Sequence, residues 1–251
     1  MGKFKNVVSV ITLLSFFTGF SVAISYATPS THIWSPSTDV QPYKKWHLTS
    51  DFYAPTENNA DDSRASTITN LGLTVGVLPF EKLNMEVGFD HKTGTGVDDY
   101  PIYFNAKLGI PEKAFGEHFP ALAVGIYDVG TKNKKTDFNV VYGKLAKTLN
   151  LGDFNLGKFS AGYFSGDSKL LTYNGKKDND GALLCWERTM SEISDKLWVA
   201  VDYQGSKSAY GSTNVGFSYK FADNTSVIFG YDIYNNKNIA NTSTVQLDID
   251  F

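Results

Sequence analysis

What most restricts the fold of this 251-residue chain is a period-two alternation of apolar and polar residues that recurs from residue 46 to the last residue. Leu83, Met85, Val87 and Phe89 alternate with Asn84, Glu86, Gly88 and Asp90, so an extended strand there has one wholly apolar face and one polar or glycine face. The same rule sets Trp46, Leu48 and Phe52 against His47, Thr49, Asp51 and Tyr53, and Leu71, Leu73, Val75 and Val77 against Asn70, Gly72, Thr74 and Gly76. It continues through Ile102–Gly109 and Leu122–Ile126, then through Leu197–Gln204, Asn214–Lys220, Val227–Tyr234 and Thr244–Phe251. Three less regular segments, Thr136–Lys147, Leu156–Ser165 and Gly181–Met190, are needed as strands to keep the up-and-down order. Together they predict about twelve strands of roughly ten residues, the length a tilted strand needs to cross a bilayer; strands of soluble proteins are nearer five or six.

Only the N-terminus carries an apolar run of helical membrane-span character. Lys3 and Lys5 precede an uncharged stretch from Val7 to Ile24, and Ser25-Tyr26-Ala27 supplies small residues at the −3 and −1 positions of a signal-peptidase site. The expectation is a secretory signal over 1–27, removed before Thr28. An uncleaved anchor is the rival, because the run approaches bilayer length. The small-residue site and the polar stretch from Pro29 to Thr38 favour cleavage. Beyond this run any membrane insertion must use strands, and in hydrocarbon strands satisfy their backbone groups only by closing on themselves. The predicted fold is therefore an all-β, up-and-down antiparallel transmembrane β-barrel over 44–251. Residues 28–43, with Pro29, Pro36 and Pro42, form an irregular segment that hangs in the periplasm or folds into the lumen, with Ile33-Trp34 as its anchor.

Loop lengths alternate as such a barrel requires, with short periplasmic turns and longer external loops. If the first strand rises from the periplasm, 55–66, 93–99, 166–180 and 235–242 are external, and 78–82, 191–195 and 222–225 are turns. Only 111–119 is long for its rim. Removing Lys3 and Lys5 with the leader leaves 21 basic against 26 acidic residues, a formal charge of −5, which gives no support for nucleic-acid binding. Cys185 is the single cysteine, so no intramolecular disulfide forms, and it reads as a small strand residue.

The chain ends Val-Gln-Leu-Asp-Ile-Asp-Phe, and this end resembles the C-terminal signature of Gram-negative outer-membrane β-barrel proteins of the porin-like class. The resemblance implies an outer-membrane location. It also implies recognition by the barrel-assembly machinery through Val245, Leu247, Ile249 and Phe251. In strand number the chain further resembles small monomeric channels that pass nucleosides or acidic sugars, and the twelve-stranded outer-membrane phospholipase. No motif assigns it to any one of them.

With the apolar face turned to lipid and lipopolysaccharide, Trp46, Tyr219, Phe221 and Phe251 fit a periplasmic aromatic girdle, and Phe52, Phe89, Tyr203 and Tyr231 an outer one. A soluble aromatic core is the bland alternative and explains the strand lengths less well. The polar face then lines the lumen, with pore-lining candidates Asp51, Glu86, Asp90, Tyr103, Lys107, Tyr127, Lys158, Asp202, Lys220, Asp232 and Asp248. Charged and hydrogen-bonding side chains of this kind tune passage through a pore, which points to a narrow channel for small polar solutes or ions. In a small barrel the same side chains can pair across and fill the interior, giving a non-conducting structural or adhesive barrel instead.

No catalytic signature, metal-ligand spacing or cofactor motif is present. His32, His47, His91 and His118 are scattered. His91, beside Asp90 near the outer end of a strand, is the one candidate base for a surface hydrolase, and it would need a serine or threonine within reach. Thr93-Gly94-Thr95-Gly96 lacks the lysine and helix of a phosphate loop. Asp61-Asp62 and Asp98-Asp99 read as solvated loop charges rather than ion bridges to lipopolysaccharide.

Overall fold

The computed structural model describes residues 30–251. The leader and its cleavage site lie outside the described residues. Twelve strands close the barrel: β1 (Trp46–Pro55), β2 (Ile68–Gly76), β3 (Asn84–Thr93), β4 (Ile102–Ile110), β5 (Ala121–Gly130), β6 (Asp137–Leu151), β7 (Phe154–Ser165), β10 (Asp180–Thr189), β11 (Leu197–Gln204), β12 (Ser212–Ala222), β13 (Thr225–Tyr234) and β14 (Thr242–Asp250). A small hairpin, β8 (Thr172–Tyr173) with β9 (Lys176–Lys177), decorates the loop between β7 and β10. Each wall strand pairs antiparallel with its neighbour in the chain, and β1 pairs with β14 to seal the sheet, His47 opposite Asp250 and Asp51 opposite Gln246. The three irregular segments are the strands β6, β7 and β10, with β6 running on to Leu151.

The alternation fixes which face meets what. Phe52, Leu71, Phe104, Val124, Val141 and Tyr163 stand on the outer face, each half exposed or more. The alternate residues turn inward: His47, Asp51, Thr74, Glu86, Lys107, Lys144, Asp202, Asn214, Asp232, Thr244 and Gln246 are all buried. This is an inside-out protein, apolar without and polar within, as a transmembrane barrel must be. No helix among the described residues is long and apolar enough to cross a membrane.

Two local departures position side chains. A bulge between Tyr127 and Val129 places Asp128 at φ 53°, a left-handed conformation uncommon for a residue other than glycine. The extra residue turns Asp128 inward, where period-two counting from Tyr127 would send it to lipid. The long turn at 111–119 is tied to the wall, since Glu112 accepts hydrogen bonds from the Thr148 amide (3.1 Å) and hydroxyl (2.7 Å) and meets Lys147 at 3.0 Å. Burial alone would push the Glu112 carboxyl up, but these partners outweigh it and hold the group below its ordinary value.

Candidate functional site in the barrel interior

Residues 30–42 run inside the barrel, not beneath it. A tight loop, closed by the Thr31–Pro36 bridge and by Ser37 N–H donating to the Ser30 carbonyl at 3.1 Å, carries Ile33 and Trp34 at its tip. One carboxylate holds that tip. Asp202 accepts the backbone N–H groups of Ile33 (2.8 Å), Trp34 (3.1 Å) and Ser35 (3.3 Å), together with the side-chain amide of Asn214 (2.8 Å). A turn of consecutive amides around an anion is a favourable arrangement, because every N–H that water has left finds a charged acceptor. From β14, Gln246 donates to the Ile33 carbonyl at 2.7 Å.

Three wall lysines take the segment's oxygens. Lys144 of β6 donates to the Pro36 carbonyl at 2.9 Å and stands 3.3 Å from both the Ser35 hydroxyl and His32 Nδ1. Lys107 of β4 donates to the carbonyls of Ser30 (2.9 Å) and Asp39 (2.6 Å) while pairing with Glu86 at 3.0 Å. Lys158 of β7 grips both oxygens of Asp39 at 2.8 and 2.9 Å and pairs with Glu187 at 3.2 Å. Glu86 in turn accepts from the Ser30 hydroxyl and the Gln41 amide, and Glu187 meets His32 Nε2 at 3.3 Å and the Trp198 indole at 3.0 Å. Hydrogen bonds thus reach β3, β4, β6, β7, β10, β11 and β14, so the segment lies across the bore and not along one wall.

Packing completes the seat. Ile33 is wholly buried in a cluster with Cys185, Ala200 and Ile228. Opposite it the wall is stripped to glycine, since a Cβ on Gly230 would come 2.8 Å from Ile33 Cγ2, and one on Gly109 would come 2.5 Å from Val40 Cγ2. Ile228 explains itself here, an apolar residue on the polar face because it faces Ile33. Trp34 lies edge-on to Tyr53 and Tyr234, with centroids at 5.4 and 5.7 Å, and its indole donates to the carbonyl of Tyr210 in the external loop 205–211. The segment that leads into the start of β1 therefore touches a loop of the opposite rim, the one that joins β11 to β12.

Above the tip the interior is aromatic. Tyr127, Tyr142, Phe138 and Tyr210 cluster with Phe164, Leu171 and Leu183, and the Tyr210 hydroxyl donates to Asp128, which also takes Lys92 at 2.5 Å. Asp51 and Asp90 share Asn70, whose amide stands 3.0 and 3.1 Å from them. At the rim where β6 turns into β7 a cavity of about 430 Å³ opens among Lys158, Glu187, Arg188, Trp198, the turn residue Asp153 and Asn155 at the start of β7.

Of the pore-lining candidates, Asp51, Glu86, Tyr103, Lys107, Asp202, Asp232 and Asp248 are buried within the bore, and Asp90, Tyr127 and Lys158 are half-buried there. Lys220 sits near the C-terminal end of β12, 3.8 Å from Asp223. Glu86, Lys107, Lys158 and Asp202 are brought together by the N-terminal segment, whereas Asp232 and Asp248 are not part of its grip. Asp248 instead joins Asp250 in flanking His47, at 3.2 and 2.9 Å, across the β1–β14 seam. His91 and Asp90 point to opposite faces of β3, so they do not form an acid–base pair, and His91 makes no hydrogen bond among the described residues to a serine or threonine. Sequence reasoning overlooked Lys144, Glu187, Asp39, Lys92 and Asp128, and set His32 aside as one of four scattered histidines. Lys144 alternates in step with Val140 and Tyr142, a signal blurred because those inward neighbours are apolar.

No family model and no curated protein matches the chain. Among solved structures it is similar to an outer-membrane channel from Pseudomonas putida F1, at 13% identity and TM-score 0.47 over 86% of this chain and 98% of that one. It is similar also to the KdgM porin in complex with disordered oligogalacturonate, at 9% identity and TM-score 0.46 over 82% and 98%. A third is the outer membrane phospholipase A from Escherichia coli, at 12% identity and TM-score 0.45 over 85% and 94%. What the chain has in common with them is a closed β-barrel.

Proposed function

We propose that the chain is a porin-like channel of a Gram-negative outer membrane that passes small polar solutes or ions, and that residues 30–42 are its own plug. The observation that carries this reading is the way the segment is held. Polar wall side chains grip it around the bore, and they are the groups a hydrated solute would meet if it left. A barrel with a purely structural role would more economically fill its centre with its own wall side chains.

Cation preference follows from the pairing. On the wall Lys107 pairs with Glu86, Lys158 with Glu187 and Lys92 with Asp128. A vacated bore then presents Asp51, Asp90, Asp202 and Asp232 against Lys144, an excess of acid. Lipid and lipopolysaccharide surround the apolar belt. Assembly proceeds through the last strand, with Val245, Leu247, Ile249 and Phe251 as the recognised residues, so deletion of Phe251 should impair membrane insertion while leaving export intact.

Planar-bilayer recording of the full mature chain beside a variant lacking residues 30–41 tests the proposal. The intact protein should be closed for most of the record and the shortened one steadily conducting, with cations favoured. A shortened barrel that is folded, as judged by its heat-dependent gel shift, yet silent would overturn it.

A further inference from the structure

The rim opposite the chain's termini is divided by charge. Loops 131–136, 166–179 and 205–211, consecutive around that rim, hold seven exposed lysines and two aspartates. Lys132, Lys134 and Lys135 stand in the first loop, Lys169, Lys176 and Lys177 in the second and Lys207 in the third. None of them has an ion-pair partner among the described residues. The two aspartates are turned to backbone, Asp167 accepting the amides of Lys169 (2.7 Å) and Leu170 (3.1 Å) and Asp178 that of Lys207 (3.0 Å). Loops 56–67 and 94–101 carry the reverse balance, Glu57, Asp61, Asp62, Asp98 and Asp99 against Arg64. Lysines without carboxylate partners on one flank repel one another and attract an anion from outside.

The outer face of the same sector carries an apolar groove of about 530 Å³. Across β6, β7, β10 and β11 one row of outward side chains runs Leu145, Ala161, Leu184 and Tyr203, and Ala161 is its short member. Phe159, Trp186 and Val201 form the next row toward the termini. Ala161 lies four residues before Ser165, where β7 enters loop 166–179, about 13 Å along the strand at roughly 3.3 Å per residue. The groove alone would accept any acyl chain or another barrel, and the loops alone any anion. One sector with both selects a lipid whose head carries phosphate, a group that lysine ammonium binds as a point charge. Lysines spread over three loops suit a head with several phosphates, as lipopolysaccharide has, better than the single phosphate of a phospholipid. A second copy docked by this same face would set its lysines against these.

We propose that this sector is a binding site for lipopolysaccharide, with an acyl chain in the groove at Ala161 and phosphates on the loop lysines. The proposal rests on the outer-membrane reading with the lysine rim turned outward. The test is native mass spectrometry of the full mature protein in detergent with phosphorylated lipid A, the same lipid A stripped of phosphate, and phosphatidylglycerol. Phosphorylated lipid A should be retained about tenfold or more better than either of the others. Ala161→Trp, which fills the groove, and the joint change Lys132→Glu, Lys134→Glu and Lys135→Glu should lower its retention by a similar factor, while Leu71→Trp on the outer face of β2 should not. Equal retention of either comparison lipid overturns the site, and this holds even if a variant fails to assemble. An equal loss in Leu71→Trp, or a dimer that Ala161→Trp disperses, overturns it too. Orientation is read separately with Lys134→Cys and a membrane-impermeant maleimide on intact cells, the native Cys185 being buried. Labelling only after the cells are opened removes the outward reading and with it lipopolysaccharide as the lipid. A silent barrel that keeps phosphorylated lipid A loses the channel and keeps the site.

Discussion

Replacing Asp202 with Asn should loosen the plug without altering the shape of the bore. Oδ2 accepts Ile33 N–H at 2.8 Å and Trp34 N–H at 3.1 Å, and Oδ1 accepts Ser35 N–H at 3.3 Å and the Asn214 amide at 2.8 Å. An Asn keeps one oxygen, which can stay with Asn214, and sets an NH₂ against two backbone donors. Each amide-to-carboxylate bond contributes about 1.5–3 kcal/mol, so losing two costs at least about 3 kcal/mol, within the roughly 3–5 kcal/mol range of breaking a buried charged contact. At about 1.4 kcal/mol per tenfold change, the plug should leave its seat on the order of a hundredfold more often. Open probability in planar bilayers measures this directly. Asp90→Asn is the control, because Asp90 accepts from Asn70 and Asn105 on the wall and from no atom of the plug. An Asp202→Asn channel that opens no more often than wild type, or no more often than Asp90→Asn, refutes the reasoning.

Further outcomes follow from the same geometry. Ile33 packs with Cys185, so Ile33→Cys should cross-link to the native thiol under mild oxidation, silence conductance, and recover it on reduction; failure to cross-link would place the tip elsewhere. Gly109→Ala forces its new methyl onto Val40 and should weaken the plug's hold by about 1–3 kcal/mol, seen as raised open probability in a barrel that still shows its heat-dependent gel shift. The Glu112 carboxyl is held below its ordinary value near 4.5, so its tie to Thr148 is complete above that pH and is lost as the pH falls through the lower folded value. The protection of the Thr148 amide against exchange, relative to its intrinsic rate, should therefore hold at neutral pH and fall only in acid, below the ordinary carboxyl value near 4.5; a loss of protection already at about pH 6 would contradict this assignment.

The wall was legible because side-chain direction in a strand is set by parity alone. Leu83–Asp90 announces which residues meet lipid without reference to any other strand, and the loop lengths follow from the same count. Asp128 escaped since a bulge changes parity within a strand, and nothing in Tyr127-Asp128-Val129 marks the site where the extra residue enters. The interior contacts escaped for a different reason. Asp202 meets Ile33 at a separation of 169 residues and Lys144 meets Pro36 at 108. Those meetings depend on where each strand stands around the ring and how high each side chain sits, neither of which is local. Residues 28–43 could be seen as irregular from their prolines, while the groups that would receive them could not be named. His47 looked isolated in the sequence because Asp248 and Asp250, its neighbours across the seam, lie at the far end of the chain.

The groups that grip residues 30–42 impose an order of events. Its partners sit on β3, β4, β6, β7, β10, β11 and β14, and the last of these strands is made after the other eleven of the barrel. A half-built sheet offers the segment only a fraction of its bonds, and none from Gln246. Residues 30–42 must therefore wait for β14, and their docking certifies that the ring is complete.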